Sequence, residues 1–267
     1  MKKTLIIILT LLLLASCTQI IEIDLNSSNP QIVVEGNIST NNDACSVKLT
    51  KSINFDKENE FPFIENASVE ITDDEGNKTI LEEKTPGIYT SSTLRGREGK
   101  TYYLNIQKDG KILKSTSTIP NKVKFDSLTI EKSVGMGGFG GNVQNVNYGI
   151  FVNFVDPQNE TNYYRFLEII NGKTAKSYIF DDRLTNGSNT KKSLIRFGRE
   201  LKNGDKLEII MQCVDKNVYN YFNSFGNLMG GPGNSSSPAN PYTNIEGGVL
   251  GFFNAHTTET IQVIIGD

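Results

Sequence analysis

The sequence is poor in the residues that most often carry catalysis. It contains one histidine, no tryptophan and three cysteines. A catalytic zinc ion usually has three protein ligands, and a Ser-His-Asp triad needs a histidine as its base. Either site would have to be built around His256 alone, and the Gly-x-Ser-x-Gly motif of many serine hydrolases is absent. These shortages predict a protein that is not an enzyme and has no metal or cofactor.

Basic residues are in the minority, and long apolar runs are missing. Without Lys2 and Lys3, which belong to the N-terminal signal discussed next, 25 basic side chains stand against 30 acidic ones. Binding to a nucleic acid requires a basic patch, so this balance argues against such a partner. The apolar run Leu5 to Leu14 is shorter than the roughly 20 residues of a membrane-spanning helix.

The N-terminus has the parts of an export signal in the usual order: Lys2 and Lys3, a short apolar run, and the small residues Ala15 and Ser16. Its end, "LLLLASC", resembles the lipobox of bacterial lipoproteins, in which the signal is cut before an acylated cysteine. The resemblance implies a signal peptide over 1–16, lipidation of Cys17 and a tether over 17–28. An ordinary secretory signal with an incidental cysteine is the alternative.

The remaining chain predicts an all-β protein with two domains. Residues 29–120 contain short runs of alternating apolar and polar residues, separated by turn signals such as Asp109-Gly110, which is typical of a β-sandwich. Pro120 marks the predicted boundary. Residues 121–267 contain further strands and one helix near 215–229, where apolar residues recur at helical spacing and Asp215 can cap the first turn.

Several motifs have both a functional and a structural interpretation. "GMGGFGG" has the glycine content of a phosphate loop but lacks its Gly-Lys-Ser/Thr ending, so a simple loop is favoured. "TDDEGN" offers oxygen ligands for calcium, but a solvated hairpin turn explains it better. Asp126-Ser127-Leu128 matches a short O-glycosylation pattern, which makes Ser127 a candidate acceptor. A disulfide between Cys45 and Cys213 stays open, and two free buried thiols are favoured.

Taken together, the motifs resemble the DUF4249 lipoproteins of Bacteroidetes, a family of unknown function. The matching stretches include "IVVEGNIST", "ASVEITDDEGN", "GIYTSSTLRGREGKTYYLNI" and "NPYTNIEGGVLGFFNAHT". The first half also resembles Ig-like or transthyretin-like envelope modules. The resemblance implies an outer-membrane or periplasmic lipoprotein and, as partner, a TonB-dependent outer-membrane transporter. Thr18 in place of Asp favours the outer membrane, while the face of that membrane stays open.

Two functions are therefore expected. The first is a non-catalytic outer-membrane lipoprotein that acts as an accessory or binding subunit of a TonB-dependent transporter. The second is a stand-alone envelope binder of a small ligand, glycan or peptide, which predicts a deep apolar pocket. For the first function we expect contact through irregular parts of the second domain, and the candidate residues are Met136, Phe139, Tyr242 and Asn244.

Overall fold

The computed structural model describes residues 29–41, 45–53, 60–135, 145–194, 201–229 and 240–266. The strands in these residues are β1 (Ile32–Ser39), β2 (Cys45–Lys51), β3 (Ser68–Asp73), β4 (Lys78–Ile80), β5 (Glu82–Thr85), β6 (Ile88–Ser91), β7 (Thr101–Lys108), β8 (Lys111–Thr118), β9 (Phe125–Gly135), β10 (Asn145–Val155), β11 (Tyr163–Ile170), β12 (Lys173–Asp181), β13 (Asn189–Leu194), β14 (Lys206–Cys213), β15 (Ile245–Glu246), β16 (Leu250–His256) and β17 (Glu259–Ile264). The helix is α1 (Lys216–Met229).

Two sheets form the first sandwich. One has the strand order β16-β1-β2-β6-β5 and the other β15-β8-β7-β3-β4. Alternate residues of both sheets point into one shared apolar core, because successive side chains of a strand face opposite sides. That core includes Val34, Val47, Leu49, Val69, Ile71, Leu104, Ile106, Leu113 and Phe253.

Two further sheets form the second sandwich, with strand orders β13-β10-β9 and β12-β11-β14-β17. Their inner faces share a second core, in which the ring centroids of Phe125 and Phe154 each lie 6.0 Å from that of Phe166. The other members include Ile150, Val152, Tyr164, Leu207, Ile209 and Met211. The predicted all-β fold, an Ig-like sandwich followed by a β-rich domain with one helix, is confirmed for the described chain.

Turn chemistry explains the tightest hairpins. β7 and β8 are joined by Asp109 and Gly110, whose φ angles are 50° and 77°. Asn171 and Gly172 join β11 and β12 with φ angles of 49° and 77°. Two successive positive φ angles define the hairpin turn that matches strand twist, and Asp-Gly and Asn-Gly are its preferred sequences. The structure thus confirms the predicted turn at Asp109-Gly110, and the Asn171-Gly172 turn has the same geometry.

Near its end the chain returns to the first sandwich through β15 and β16, and the last strand, β17, pairs with β14 of the second sandwich. β16 lies parallel to β1, with Val34 opposite Gly251 and Ser39 opposite His256, and β15 pairs with β8. In this respect the structure differs from the predicted domains, in which everything beyond residue 120 belongs to the second one. The physical reason is that a parallel pair needs a long connection between its strands; here β2 to β15 lie between β1 and β16 and include most of the second sandwich.

Helix α1 begins where it was predicted to begin. The Oδ1 atom of Asp215 accepts a hydrogen bond from the backbone N–H of Val218 at 2.9 Å, which is the geometry of an N-cap. Val218 is fully buried, whereas Phe225 near the other end is 43% exposed. The helix contacts β11, β12 and β16, so it lies against both sandwiches.

Candidate binding cleft

Tyr242 is attached to α1 at two points. Its backbone N–H donates to the hydroxyl of Ser224 at 2.9 Å, and its own hydroxyl donates to Oδ1 of Asn217 at 3.2 Å. Because Asn217 and Ser224 are two turns apart on the helix, the segment is fastened along the helix face. The ring of Tyr242 nevertheless remains 43% exposed.

Asn244 has a structural task in the same segment. Its Nδ2 donates to the carbonyl of Phe253 at 2.8 Å, and its Oδ1 accepts from the N–H of Phe253 at 2.9 Å. The carboxamide thereby pairs with β16 as a neighbouring strand would. The hydroxyl of Ser115 on β8 donates to the carbonyl of Asn244 at 2.7 Å. Asn244 therefore positions the segment, and its side chain is already engaged by the protein.

A cleft of about 600 Å³ lies between this segment and the outer face of β3, β7 and β8. Tyr103 on β7 is 46% exposed there, whereas its neighbour Tyr102 is buried at 2%, because successive side chains of a strand face opposite sides. The cleft is lined by Thr72, Tyr103, Leu104, Asn105, Lys114, Ser115, Thr116, Asn217, Tyr242, Thr243, Asn244, Ile245 and Glu246. We call it the tyrosine cleft.

The lining of the tyrosine cleft suits binding. Two tyrosine rings provide flat apolar faces with a polar end, and Asn105, Asn217 and Lys114 provide hydrogen-bonding groups. Oδ1 of Asn105 is buried and has no hydrogen-bond partner among the described residues. A buried acceptor without a donor is destabilising; because the protein covers this oxygen, the groups that the cleft offers to a ligand are those of Asn217, Lys114 and the two tyrosines. The cleft is open and mixed in polarity, unlike the deep apolar pocket expected for a stand-alone binder.

The opposite side of α1 is held by an arginine. The guanidinium of Arg165 on β11 lies 3.7 Å from the ring centroid of Phe222. It donates to Ser177 Oγ at 3.0 Å and to Gln212 Oε1 at 3.2 Å. Burial lowers the pKa of Arg165 to about 10, which leaves it charged at neutral pH. Phe252 of β16 packs on Phe222 with 4.9 Å between centroids, so the cluster joins the helix to both sandwiches.

The single histidine belongs to the same structural network. His256 is buried, its Nε2 lies 2.9 Å from Nε2 of Gln212, and its Nδ1 lies 3.3 Å from the carbonyl of Asn254. With Gln212 as the donor, the ring carries its proton on Nδ1 and donates to Asn254, a tautomer that follows from the hydrogen bonds. These contacts connect His256, the last residue of β16, to Gln212 of β14.

The two described cysteines lie in different cores. Cys45 belongs to the first core and Cys213 to the second, and both are free and buried. Burial raises the pKa of Cys45 to about 12 and raises that of Cys213 as well. Because the thiolate is the reactive form, neither thiol is activated as a nucleophile.

The acidic turn "TDDEGN" has its own internal partners. Oδ1 of Asp73 accepts from the N–H groups of Glu75 and Asn77, and Oδ2 accepts from the side chain of Asn77. The Asn77 side chain is the largest cause that lowers the pKa of Asp73. Lys100 pairs with Asp74 at 3.1 Å and with Glu75 at 2.6 Å. In the described residues, no group of three or more His, Cys, Asp or Glu could hold a metal ion.

Other residues named from the sequence fall elsewhere. Cys17, Met136 and Phe139 lie outside the described residues. Ser127 is exposed on β9, and its carbonyl accepts from Nδ2 of Asn153 at 3.3 Å. The two predicted contact residues within the described chain, Tyr242 and Asn244, both line the tyrosine cleft. Tyr103 and Asn105 are added by the cleft, and their adjacency to Tyr242 could not be inferred from the sequence, since it depends on the return of the chain to β8.

The fold and the cleft define an all-β protein of two sandwiches with a surface suited to binding. The chain belongs to the family described as "Domain of unknown function (DUF4249)", whose model matches residues 18–262. Among solved structures, the chain is similar to the two fibronectin type-III domain segment of chicken tenascin, at 13% identity and a TM-score of 0.23. The match covers 89% of this chain and 99% of that chain. No curated protein matches the chain significantly. No helix in the described residues is long and apolar enough to cross a membrane.

Proposed function

We propose that the protein is a non-catalytic lipoprotein of the outer membrane, anchored through an acylated Cys17, that binds a partner through the tyrosine cleft. The partner that we propose is a TonB-dependent outer-membrane transporter, for which this chain is an accessory or binding subunit. The anchor is supported by "LLLLASC". The transporter is supported by the family resemblance alone. The proposal includes no nucleic-acid partner.

The observation that carries the binding role is the placement of Tyr103 and Tyr242 on two sides of one cleft, each exposed by 43–46%. Aromatic side chains are enriched where protein surfaces bind partners. Tyr242 is held by α1 and Tyr103 by a central strand, so both are fixed before binding. Such preorganisation reduces the entropy that is lost on association.

The cleft also favours a second candidate function, a stand-alone envelope binder of a glycan or peptide. Its volume of about 600 Å³ falls in the range of small-molecule sites, and Asn217 and Lys114 of its lining offer hydrogen-bonding groups beside the two tyrosine rings. The absence of tryptophan and the open shape of the cleft make this candidate the weaker one.

The experiment that tests the proposal is chemical crosslinking and mass spectrometry on intact outer membranes, with the wild type compared with Cys17→Ala. We expect crosslinks from lysines near the cleft, such as Lys114, to a β-barrel transporter, and we expect them to disappear in the variant that lacks the anchor. A wild-type chain that is found in the outer membrane without any transporter crosslink would contradict the transporter role. It would favour the stand-alone binder.

A further inference from the structure

The chain enters the first sandwich at the start of β1, which therefore identifies one end of that sandwich. The backbone N–H of Gln31 donates to Ser52 Oγ at 2.9 Å, and the N–H of Ser52 donates to the carbonyl of Gln31 at 2.8 Å. Twelve residues, Thr18 to Asn29, separate Cys17 from Pro30. A chain of that length reaches about 40 Å at most, so this end of the sandwich stays within that distance of Cys17.

Two exposed phenylalanines lie beside this entry point. Phe61 and Phe63 are each 48% exposed, and together with Pro62 they form what we call the phenylalanine patch. Phe63 forms a bridge with Thr50, and the N–H of Lys51 donates to the carbonyl of Pro62 at 2.8 Å. The patch is therefore paired with β2, which is itself the neighbour of β1.

The backbone holds the phenylalanine patch in place. The N–H of Ile64 donates to the carbonyl of Leu49 at 3.0 Å, and Ile64 is buried in the first core. Phe63 also packs over Gly87, where an added Cβ would lie 2.9 Å from the ring. The rings are thus kept at the surface by a fixed backbone, although burial would be favourable for them.

The charges around the patch are nearly balanced. Two clefts adjoin Phe63, and their lysines and acids are Lys48, Lys51, Lys108, Lys111, Glu60, Glu65 and Asp109. Four positive and three negative groups do not make a site for an anion. A ring of charges of both signs around aromatic side chains fits the interface of a bilayer, where phenyl rings reach the acyl region and lysines reach the headgroups.

The second sandwich leaves from the other end of the first. β8 runs from Lys111, beside the patch, to Thr118, whose N–H donates to Oδ2 of Asp215 at 3.0 Å ahead of α1. Eight residues of strand span about 26 Å. A bilayer in contact with the patch would therefore leave the second sandwich free to face away from the lipid.

We propose that the phenylalanine patch is a second membrane contact, which rests on the lipid surface and orients the anchored protein with its second sandwich pointing away. This inference rests on the proposed lipid anchor at Cys17. The contact is apolar in origin, so it should depend weakly on anionic lipid and on salt.

Because the natural chain contains no tryptophan, the fluorescence of a single introduced tryptophan comes from one known position. We would prepare Phe61→Trp and, as a matched control, Phe225→Trp, because Phe225 has a similar exposure of 43% but lies on α1. The chain from Cys17 onward is coupled through the thiol of Cys17 to a maleimide lipid in phosphatidylethanolamine–phosphatidylglycerol vesicles. Cys45 and Cys213 are buried and should react slowly. This coupling tests the phenylalanine patch independently of acylation in cells. Acylation itself is tested separately, by palmitate labelling of the wild type and of Cys17→Ala.

We expect brominated lipids to quench the tryptophan at position 61 by about twofold and to leave the control at 225 unchanged, since bromine quenches only indole rings that come close to the acyl chains that carry it, and tryptophan favours the bilayer interface. Equal quenching at both positions, or none at 61, would overturn the proposal. A blue-shifted emission at 61 without quenching would overturn it as well, because the ring would then be covered by protein, either a second copy or the chain's own tether. Phe63→Trp repeats the test if Phe61→Trp does not fold.

Discussion

Replacement of Asp215 by alanine should destabilise the junction between the two sandwiches. The two carboxylate oxygens of Asp215 have different partners: Oδ1 caps α1 at Val218, and Oδ2 accepts from Ser117 Oγ at 2.6 Å and from the N–H of Thr118 at 3.0 Å. Ser117 is 1% exposed, and its hydroxyl oxygen also accepts from the N–H of Ala255 on β16 at 3.0 Å. One side chain thus connects β8, α1 and, through Ser117, β16.

The expected magnitude follows from these contacts. Loss of a helix N-cap costs about 1 kcal/mol, and a buried donor left without an acceptor costs about 1–3 kcal/mol. Asp215→Ala should therefore lower the free energy of unfolding by about 2–4 kcal/mol. In a chain of this size, that corresponds to a fall in Tm of about 4–15 °C. Ser117→Ala alone should cost less, because it keeps the cap.

The assay is urea unfolding of the wild type, Asp215→Ala, Ser117→Ala and the double variant. A coupling free energy of about 1 kcal/mol between the two sites would support the shared hydrogen bond. Asp126→Ala is the matched control, since its surface pair with Lys124 should contribute less than about 1 kcal/mol. A change below about 0.5 kcal/mol in Asp215→Ala, as is typical of an ordinary surface site, would refute the reasoning.

Two further predictions concern the end of the chain. Gly251 has a φ of +108°, and an added Cβ would lie 1.9 Å from the carbonyl oxygen of Val34. Gly251→Ala should therefore lower the free energy of unfolding, measured by thermal unfolding, by at least about 2 kcal/mol. Gly248→Ala, with open space around it, should lower it by about 1 kcal/mol, and equal losses in the two variants would contradict a packing effect at Gly251. Burial is the largest single influence on Glu259 and raises its pKa, but the hydrogen bonds from Lys122 and the Phe125 N–H, together with the charges of Lys122 and Lys124, outweigh it, so the pKa lies below its ordinary value. The ionised Glu259 therefore stabilises the fold above about pH 4.3, and this contribution is lost as the pH falls through the lowered pKa of the folded protein. The free energy of unfolding, measured between pH 3 and 6, should change less steeply with pH in Glu259→Gln than in the wild type. Parallel curves for the two proteins would contradict this prediction.

Local signals predicted much of this fold. The strands with alternating side chains, the hairpin turns at Asp109 and Asn171, and the capped helix after Asp215 all depend on neighbours a few residues away. The alternation of apolar and polar residues does not predict β12, Lys173–Asp181, because its first five residues are mostly polar and the apolar Tyr178, Ile179 and Phe180 follow one another directly. The strand forms because β11, which the Asn171-Gly172 turn joins to it, provides its hydrogen bonds.

The cleft illustrates what sequence reasoning could not supply. Asn244 and Tyr242 were singled out from one unusual segment, but the structure gives them different tasks, since only Tyr242 is free to meet a partner. Their placement opposite Tyr103 requires β15 to pair with β8, over 120 residues away in the chain. Likewise, the contact between Arg165 and Phe222 depends on α1 lying across β11. Nothing within a few residues of these positions encodes either contact.

The central claim, that the tyrosine cleft binds an envelope partner, is tested most directly by site-specific photo-crosslinking in living cells. A photoreactive amino acid is placed at position 242 in the cleft and, as a control, at Val155, which is 53% exposed on β10 of the second sandwich. We expect a crosslinked adduct with an outer-membrane transporter from position 242 and none from position 155. Adducts of equal yield from both positions, or no adduct from 242 in a protein that is present in the outer membrane, would contradict it.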